Sequence, residues 1–361
     1  MRFAFTEDQL ALREAVRQVL DRECTPEHLR AVAAGTASSR RWEVLSELGA
    51  VGLLVPEAYG GLEMNEVELV GVLEEAGRAA LPEPLAETAA LAVPLLDDGA
   101  TLEAIAAGAL VVGMGGADLA ADGFAPSGQP VGDGSVRTQR VVGASNAGLV
   151  LVWHRETGAG WELHAVASDS FGIEQTPSID ATRDVTTLTW HPGPGTRVAS
   201  GDEAEAQLAA TGDRAALATA AQLLGLAERM ITLAAEYAKV RVQFGKPIGS
   251  FQAVKHHLAN ARVRLDFARP VTYRAAYSVA GDLPGRGVHC AMAKSLASDA
   301  ADLASRVALQ VHGAIGYTWE CDLHLYMKRA WSLSAAWGDA PAHRARVLAT
   351  ALQGRGSRTT W

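Results

Sequence analysis

The sequence predicts an α+β fold, mostly α, with an N-terminal α-helical domain over 1–108, a middle β-domain over 109–203 and a C-terminal four-helix bundle over 204–361. Three observations predict it. Apolar residues recur at helical spacing near the start. In the middle Gly, Pro, Asp and Ser crowd between short β-branched runs. Beyond that, long Ala- and Leu-rich stretches run with few turn signals. Helix, strand and helix in separate blocks do not match the alternation of a doubly wound sheet.

The first block opens on Thr6-Glu7-Asp8-Gln9, which has the Thr and Gln spacing of a capping box, and Leu10, Ala11, Ala15, Val16, Val19 and Leu20 continue as an amphipathic helix. A second helical pattern carries Trp42, Leu45, Leu48 and Val51 until Pro56 and Gly60-Gly61 interrupt it. Helix resumes near Asn65. There Glu66, Glu68, Glu74 and Glu75 alternate with Val67, Leu69, Val70, Val72 and Leu73 in a period that implies one buried face, and Pro82 and Pro84 end it. In the middle block Val141-Val142, 149–153 and 185–190 read as strands. The last block carries helical runs over 214–240, 253–279 and 290–311 that would pack as a bundle, and 354–361 reads as a loose tail.

Composition narrows function by exclusion. A chain of 361 residues is longer than one hydrophobic core usually organises. Its 48% hydrophobic and 20% charged residues match soluble globular proteins. A net charge of -9 disfavours nucleic acid and anionic membranes as partners, since both need clustered Lys and Arg. The 3 cysteines, Cys24, Cys290 and Cys321, show no paired spacing, which argues against a disulfide framework or a zinc site and fits a reducing, cytoplasmic location. The start, Met1 to Gln9, does not read as a signal peptide, and no run approaches the roughly 20 apolar residues of a membrane span. The pair His256-His257 has no metal-ligand spacing around it, so no metal site is expected.

Two constellations in the last block carry chemistry. The first is Arg241-Val242-Gln243-Phe244-Gly245-Lys246-Pro247-Ile248, followed by Phe251-Gln252. The second is Gln310-Val311-His312-Gly313-Ala314-Ile315-Gly316-Tyr317. Taken singly, Arg241 reads as a helix-terminal arginine, Gly313 as a helix C-cap and Phe244 as a core residue. Taken together, they resemble the Arg-x-x-Phe-Gly and Gln-x-x-Gly-Gly-x-Gly signatures of the FAD-dependent acyl-CoA dehydrogenases. Trp42, Gly49, Gly52-Leu53, Val55-Pro56-Glu57, Tyr59-Gly60-Gly61, Glu74-Glu75 and Gly77-Arg78 resemble that family's N-terminal helical domain. The resemblance implies that Arg241 pairs the FAD pyrophosphate, with Gln243 and Phe244 flanking it. Gln252, Gln310, Gly313 and Ala314 then line the adenine end, in a site built across a subunit interface.

The same resemblance places departures. The family's catalytic base is a glutamate at a loop position that aligns here with Trp337, or on the helix before Arg241 at a position that aligns with Ala215. Neither takes a proton. Asp339 and Asp213 each lie two residues away, a rotation of roughly 200° on a helix, and read as a loop or capping residue and as a solvated helix-start residue. Asp339 is a weak fallback base. The family's runs that hold the isoalloxazine align with Gly113-Met114-Gly115-Gly116-Ala117-Asp118 and Val141-Val142-Gly143-Ala144-Ser145-Asn146, which lack the signature residues.

A chain that keeps one half of the FAD site and loses the base resembles the non-catalytic subunit of an actinobacterial heteromeric acyl-CoA dehydrogenase. That implies α,β-dehydrogenation of an acyl-CoA thioester, with a steroid or other bulky acyl group among the candidates. A catalytic subunit is then the partner, in a heterotetramer, and an electron-transfer flavoprotein or similar protein the acceptor. The alternatives are a homomeric flavoenzyme of the same fold, either oxidase or monooxygenase, and a flavin-free scaffold subunit.

Overall fold

The computed structural model describes residues 4–36, 40–120 and 123–356. Met1 to Phe3, with which the start of the chain was read, and the end of the expected tail lie outside them. Helix α1 (Glu7–Glu23) starts at the capping box read from the sequence, with Thr6 Oγ1 accepting from the Gln9 N–H and Gln9 reaching back to the Thr6 N–H. Short helices α2 (Pro26–Ala33) and α3 (Arg41–Glu47) lead to α4 (Glu66–Arg78), which is capped by Asn65. A π-helical turn (Ala86–Ala92) and α5 (Gly99–Ala106) complete the first block.

Helix α4 departs from the expected single buried face, because it runs between α1 and α6 and is buried on all sides from Leu69 to Arg78. Its acids survive there through ion pairs. Glu75, fully buried, accepts from Arg13 at 2.8 Å, Arg17 at 2.9 Å and Arg78 at 2.6 Å. Burial alone would raise the Glu75 carboxyl above its ordinary range, but the three guanidiniums outweigh it and hold it below. Glu74 takes Arg269 at 2.8 Å and the Tyr273 hydroxyl at 2.6 Å, so the same pair of acids ties α1 and the bundle to α4.

The middle block contains β1 (Val112–Gly115), β2 (Ala117–Ala120), β3 (Gly123–Pro126), β4 (Gly128–Pro130), β5 (Val136–Val142), β6 (Leu149–His154), β7 (Glu162–Ala167), β8 (Phe171–Gln175), β9 (Val185–Trp190) and β10 (Arg197–Ser200). Eight of these strands form one sheet in the order β10-β7-β6-β1-β5-β9-β8, with β4 beside β5; β2 and β3 pair only with each other. Every pairing is antiparallel except β1 with β6. Strand alternation divides the core. Leu151, Trp153 and Leu163 pack into the large cluster shared by both helical blocks, whereas Val150, Val152, Val166, Leu188 and Trp190 form a smaller cluster on the other face.

Helix α6 (Gly201–Val240) begins ahead of the expected run, and α7 (Gln252–Ala280), α8 (Arg286–His312), α9 (Leu323–Ala335) and α10 (Ala340–Gly356) follow. The first three pack on one another, α9 lies against α6 and α8, and α10 against α8. The expected loose tail is therefore still helical at Gly356. Asp213 is not a solvated helix-start residue. It lies inside α6, 5% exposed, because Arg346 of α10 pairs it at 2.5 Å and Arg286 of α8 sits at 3.7 Å. On α9, buried Arg329 reaches the Leu81 carbonyl at 2.5 Å, the Thr182 hydroxyl at 2.8 Å and the Asp180 carboxylate. No described helix is long and apolar enough to cross a membrane.

Candidate functional site

Helix α6 stops where Arg241 leaves the helical region, its N–H still donating to the Tyr237 carbonyl at 2.9 Å. The chain then folds into a hairpin of β11 (Val242–Gln243) and β12 (Lys246–Pro247). Phe244 at φ 53° and Gly245 at φ 77° hold its two central positions, the left-handed pair that a tight hairpin turn requires. The Ile248 N–H closes the hairpin on the Arg241 carbonyl at 2.8 Å, and Phe251 leads into α7 at Gln252. Phe244 is 91% exposed, so its reading as a core residue fails. Its ring meets that of Phe251 edge to face at 6.1 Å, while the Lys246 ammonium covers the Phe251 ring at 4.5 Å.

The second constellation arrives at the same end of the bundle. Helix α8 ends at His312, whose ring stacks on Tyr237 of α6 at 4.6 Å, and Gly313 caps it at φ 64°. Gly313 and Arg241 thus do occupy helix ends, which is what places them at this surface. Gln310, Gly313 and Ala314 are exposed beside the end of α6, as are Arg241, Gln243 and Gln252. Among the described residues no hydrogen bond or ion pair engages the side chains of Arg241, Gln252 or Gln310, and Gln243 turns only to the Val242 carbonyl at 2.9 Å. The first turn of α7 carries no acid and no side-chain cap, and Arg241, Lys246 and Lys255, close to it in the chain, are exposed. In a chain of net charge -9 these residues gather local positive charge and an exposed aromatic ring, groups whose chemistry suits an anionic, partly aromatic ligand. They fit the pyrophosphate and adenosine of FAD.

The two base positions lie elsewhere and hold no acid. Ala215 is fully buried on α6. Trp337 is half-buried in the turn between α9 and α10 at φ 54°, followed by Gly338 at φ 92°. Asp339 is exposed and caps α10, its carboxylate accepting from the Ala342 N–H at 2.9 Å. Beneath the turn lies a residue that sequence reasoning passed over. Lys294 of α8 is fully buried, and its ammonium donates to the Ser334 and Gly338 carbonyls, both at 3.0 Å. Burial pushes Lys294 down to about 7, with Asp339 acting in the opposite direction. The signal was a lone cation in register with the apolar stripe Cys290, Ala297 and Ala301. His343 Nε2 meets the Trp337 carbonyl at 3.0 Å and completes the clamp.

The stretches aligned with the isoalloxazine site do not fit a flavin ring. Residues 113–116 are buried, with Met114 paired to Val142 across β1 and β5. Ser145 donates both its N–H, at 2.8 Å, and its hydroxyl, at 2.6 Å, to Asp184, and Asp118 pairs with Arg140. The Ser145 and Asp118 side chains are thus engaged within the chain.

Helical blocks flank a mostly antiparallel sheet, and the two constellations meet at one end of the bundle. Sequence comparison is specific: family profiles match residues 6–103 as acyl-CoA dehydrogenase, N-terminal domain, and 208–352 as acyl-CoA dehydrogenase, C-terminal domain. The chain is 32% identical over 330 residues to the acyl-CoA dehydrogenase IpdE2 of Mycolicibacterium smegmatis, covering 90% of this chain and 93% of that protein. Among solved structures, the ChsE4-ChsE5 complex from Mycobacterium tuberculosis is similar with a TM-score of 0.82, 26% identity and 100% of both chains covered. The Tcur3481-Tcur3483 steroid ACAD G363A variant is similar with a TM-score of 0.83 and 26% identity, covering 97% of this chain and 99% of that one. The chain belongs to the acyl-CoA dehydrogenase family of oxidoreductases.

Proposed function

We propose that this chain is the non-catalytic subunit of a heteromeric acyl-CoA dehydrogenase that removes hydrogen across the α,β-bond of an acyl-CoA thioester, with steroid or similarly bulky acyl groups as the substrate class. One observation carries the reading: the adenosine-end residues are exposed and unpartnered at one end of the bundle, while both base positions hold groups that cannot take a proton. FAD, when bound, supplies the acceptor for the hydride leaving the β-carbon. Arg241 neutralises its pyrophosphate, Gln252 and Gln310 present hydrogen-bonding groups to its adenosine, and Phe244 supplies an aromatic face. The partner provides the ring pocket and the carboxylate that removes the α-proton, since no group here is placed to do so. Similarity to a complex of two differently named chains and to a steroid ACAD supports both the mixed assembly and the substrate class.

The test is a visible spectrum of the protein purified alone and then with the product of its genomic neighbour as candidate partner. Alone it is expected to be colourless, and the pair is expected to hold one FAD. One tightly bound FAD per chain in the isolated protein would replace this reading with a homomeric flavoenzyme, and a colourless pair with a scaffold subunit. Arg241→Ala in the pair is expected to weaken FAD by about 1.5–3 kcal/mol, the worth of a charge-assisted hydrogen bond, measured as the flavin dissociation constant.

A further inference from the structure

We propose that the hairpin β2–β3 is a built-in plug. Its opposed residues Leu119 and Phe124 fill the crevice between the sheet and the bundle, closing this chain's own site to a planar ring and to a thioester. The proposal deepens the non-catalytic reading and rests on it for the meaning of the two base positions.

The register pairs Leu119 with Phe124 directly, so both side chains leave the hairpin on one face as a single apolar wedge. That wedge has two sockets, and each is a glycine. A Cβ on Gly212 of α6 would lie 2.3 Å from Phe124 Cζ, and a Cβ on Gly338 would lie 2.9 Å from Leu119 Cδ2. Glycine in a helix interior is disfavoured relative to alanine, and at position 212 it is the one residue that leaves the ring its space. The sockets adjoin the base positions. Ala215 lies three residues beyond Gly212, about 60° short of a full turn of α6, and Trp337 immediately precedes Gly338.

The hairpin has little else to hold it. It pairs with no strand of the large sheet, and a two-stranded ribbon is marginal by itself. Its base is held by Ala117, buried in the main core, and by the Ser127 N–H on the Gly116 carbonyl, and further out its fixed points are the wedge and the Asp118–Arg140 ion pair. A segment that contributes nothing to the ladder yet spans both sockets is placed by its seat in the crevice.

Ala215→Cys supplies the reporter, with iodoacetamide labelling followed by peptide mass spectrometry so that Cys24, Cys290 and Cys321 are resolved separately. With the hairpin intact the introduced thiol is expected to label slowly under native conditions. Adding Leu119→Ala with Phe124→Ala is expected to raise the rate at least about tenfold while thermal unfolding stays cooperative, because the barrier to local opening is removed. Gly212→Ala, which expels the ring with one methyl group, provides the same test if the double variant does not fold. Equal rates with and without the wedge, or full-rate labelling with the hairpin intact, overturn the plug. FAD content of the pair is an independent readout: a flavin-free pair with a protected thiol leaves the plug standing and removes the proposed function.

Discussion

His343 shows how one side chain fixes a turn and writes a pH dependence into the fold. It is fully buried, Nε2 serves the Trp337 carbonyl, and Nδ1 has no hydrogen-bond partner among the described residues. Burial first, and then the Lys294 ammonium, push His343 down to about 4, with Arg346 acting the same way and the Trp337 carbonyl and Asp339 opposing. A histidine depressed in the folded state binds its proton more readily once unfolded. Its contribution is fully present above about pH 6.5 and is lost as pH falls towards about 4, by up to about 3 kcal/mol. Denaturation midpoints measured between those limits are expected to fall with pH, and His343→Gln, which keeps a donor for Trp337, is expected to flatten the slope. An unchanged slope would assign the acid sensitivity to other groups. Trp337 itself adopts a left-handed conformation that costs a non-glycine residue of order 1–3 kcal/mol, and the His343 and Lys294 bonds to its turn hold it there.

At the level of elements, α4 and α6 touch backbone to backbone. A Cβ on Gly77 would come within 2.0 Å of the Gln222 carbonyl oxygen, and one on Gly225 within 1.9 Å of the Glu74 oxygen. Backbone cannot swing aside as a side chain can, so Gly225→Val is expected to destabilise the chain by about 1–3 kcal/mol, read as a lower urea midpoint. How much of this was legible in the sequence depends on range. The Thr6–Gln9 cap and the helix start at Asn65 were readable because their partners lie three residues away. Asp213 was misread because Arg346 and Arg286, which bury it, come from two later helices. Nothing in Ala117 to Ala120 announces a strand, and its register with Phe124 exists only beside α6. The two cofactor constellations were found through family resemblance, and the Tyr237–His312 stack that brings them to one surface has no sequence signature.

For the whole molecule, the lone chain leaves Phe244, Phe267, Tyr317 and Trp319 between 71% and 91% exposed along the bundle. Exposed aromatic surface of this kind is expected to be covered by another chain. Sedimentation at micromolar concentration is expected to show an oligomer, and a monomer under those conditions, alone and with the candidate partner chain, would remove the interface from the bundle. The Arg329 clamp bears on something different. Its three partners lie in the first block at Leu81 and in the middle block at Asp180 and Thr182, and Arg329 comes from the last. Separating the middle block from the last would strand a buried guanidinium without its Asp180 counter-charge, which costs several kcal/mol, and separating the first would cost it the Leu81 carbonyl. The seams in the sequence are therefore not seams in the protein. A protease that nicks the chain between blocks would leave the pieces clasped, and the gene could be cut there only if both fragments were made together.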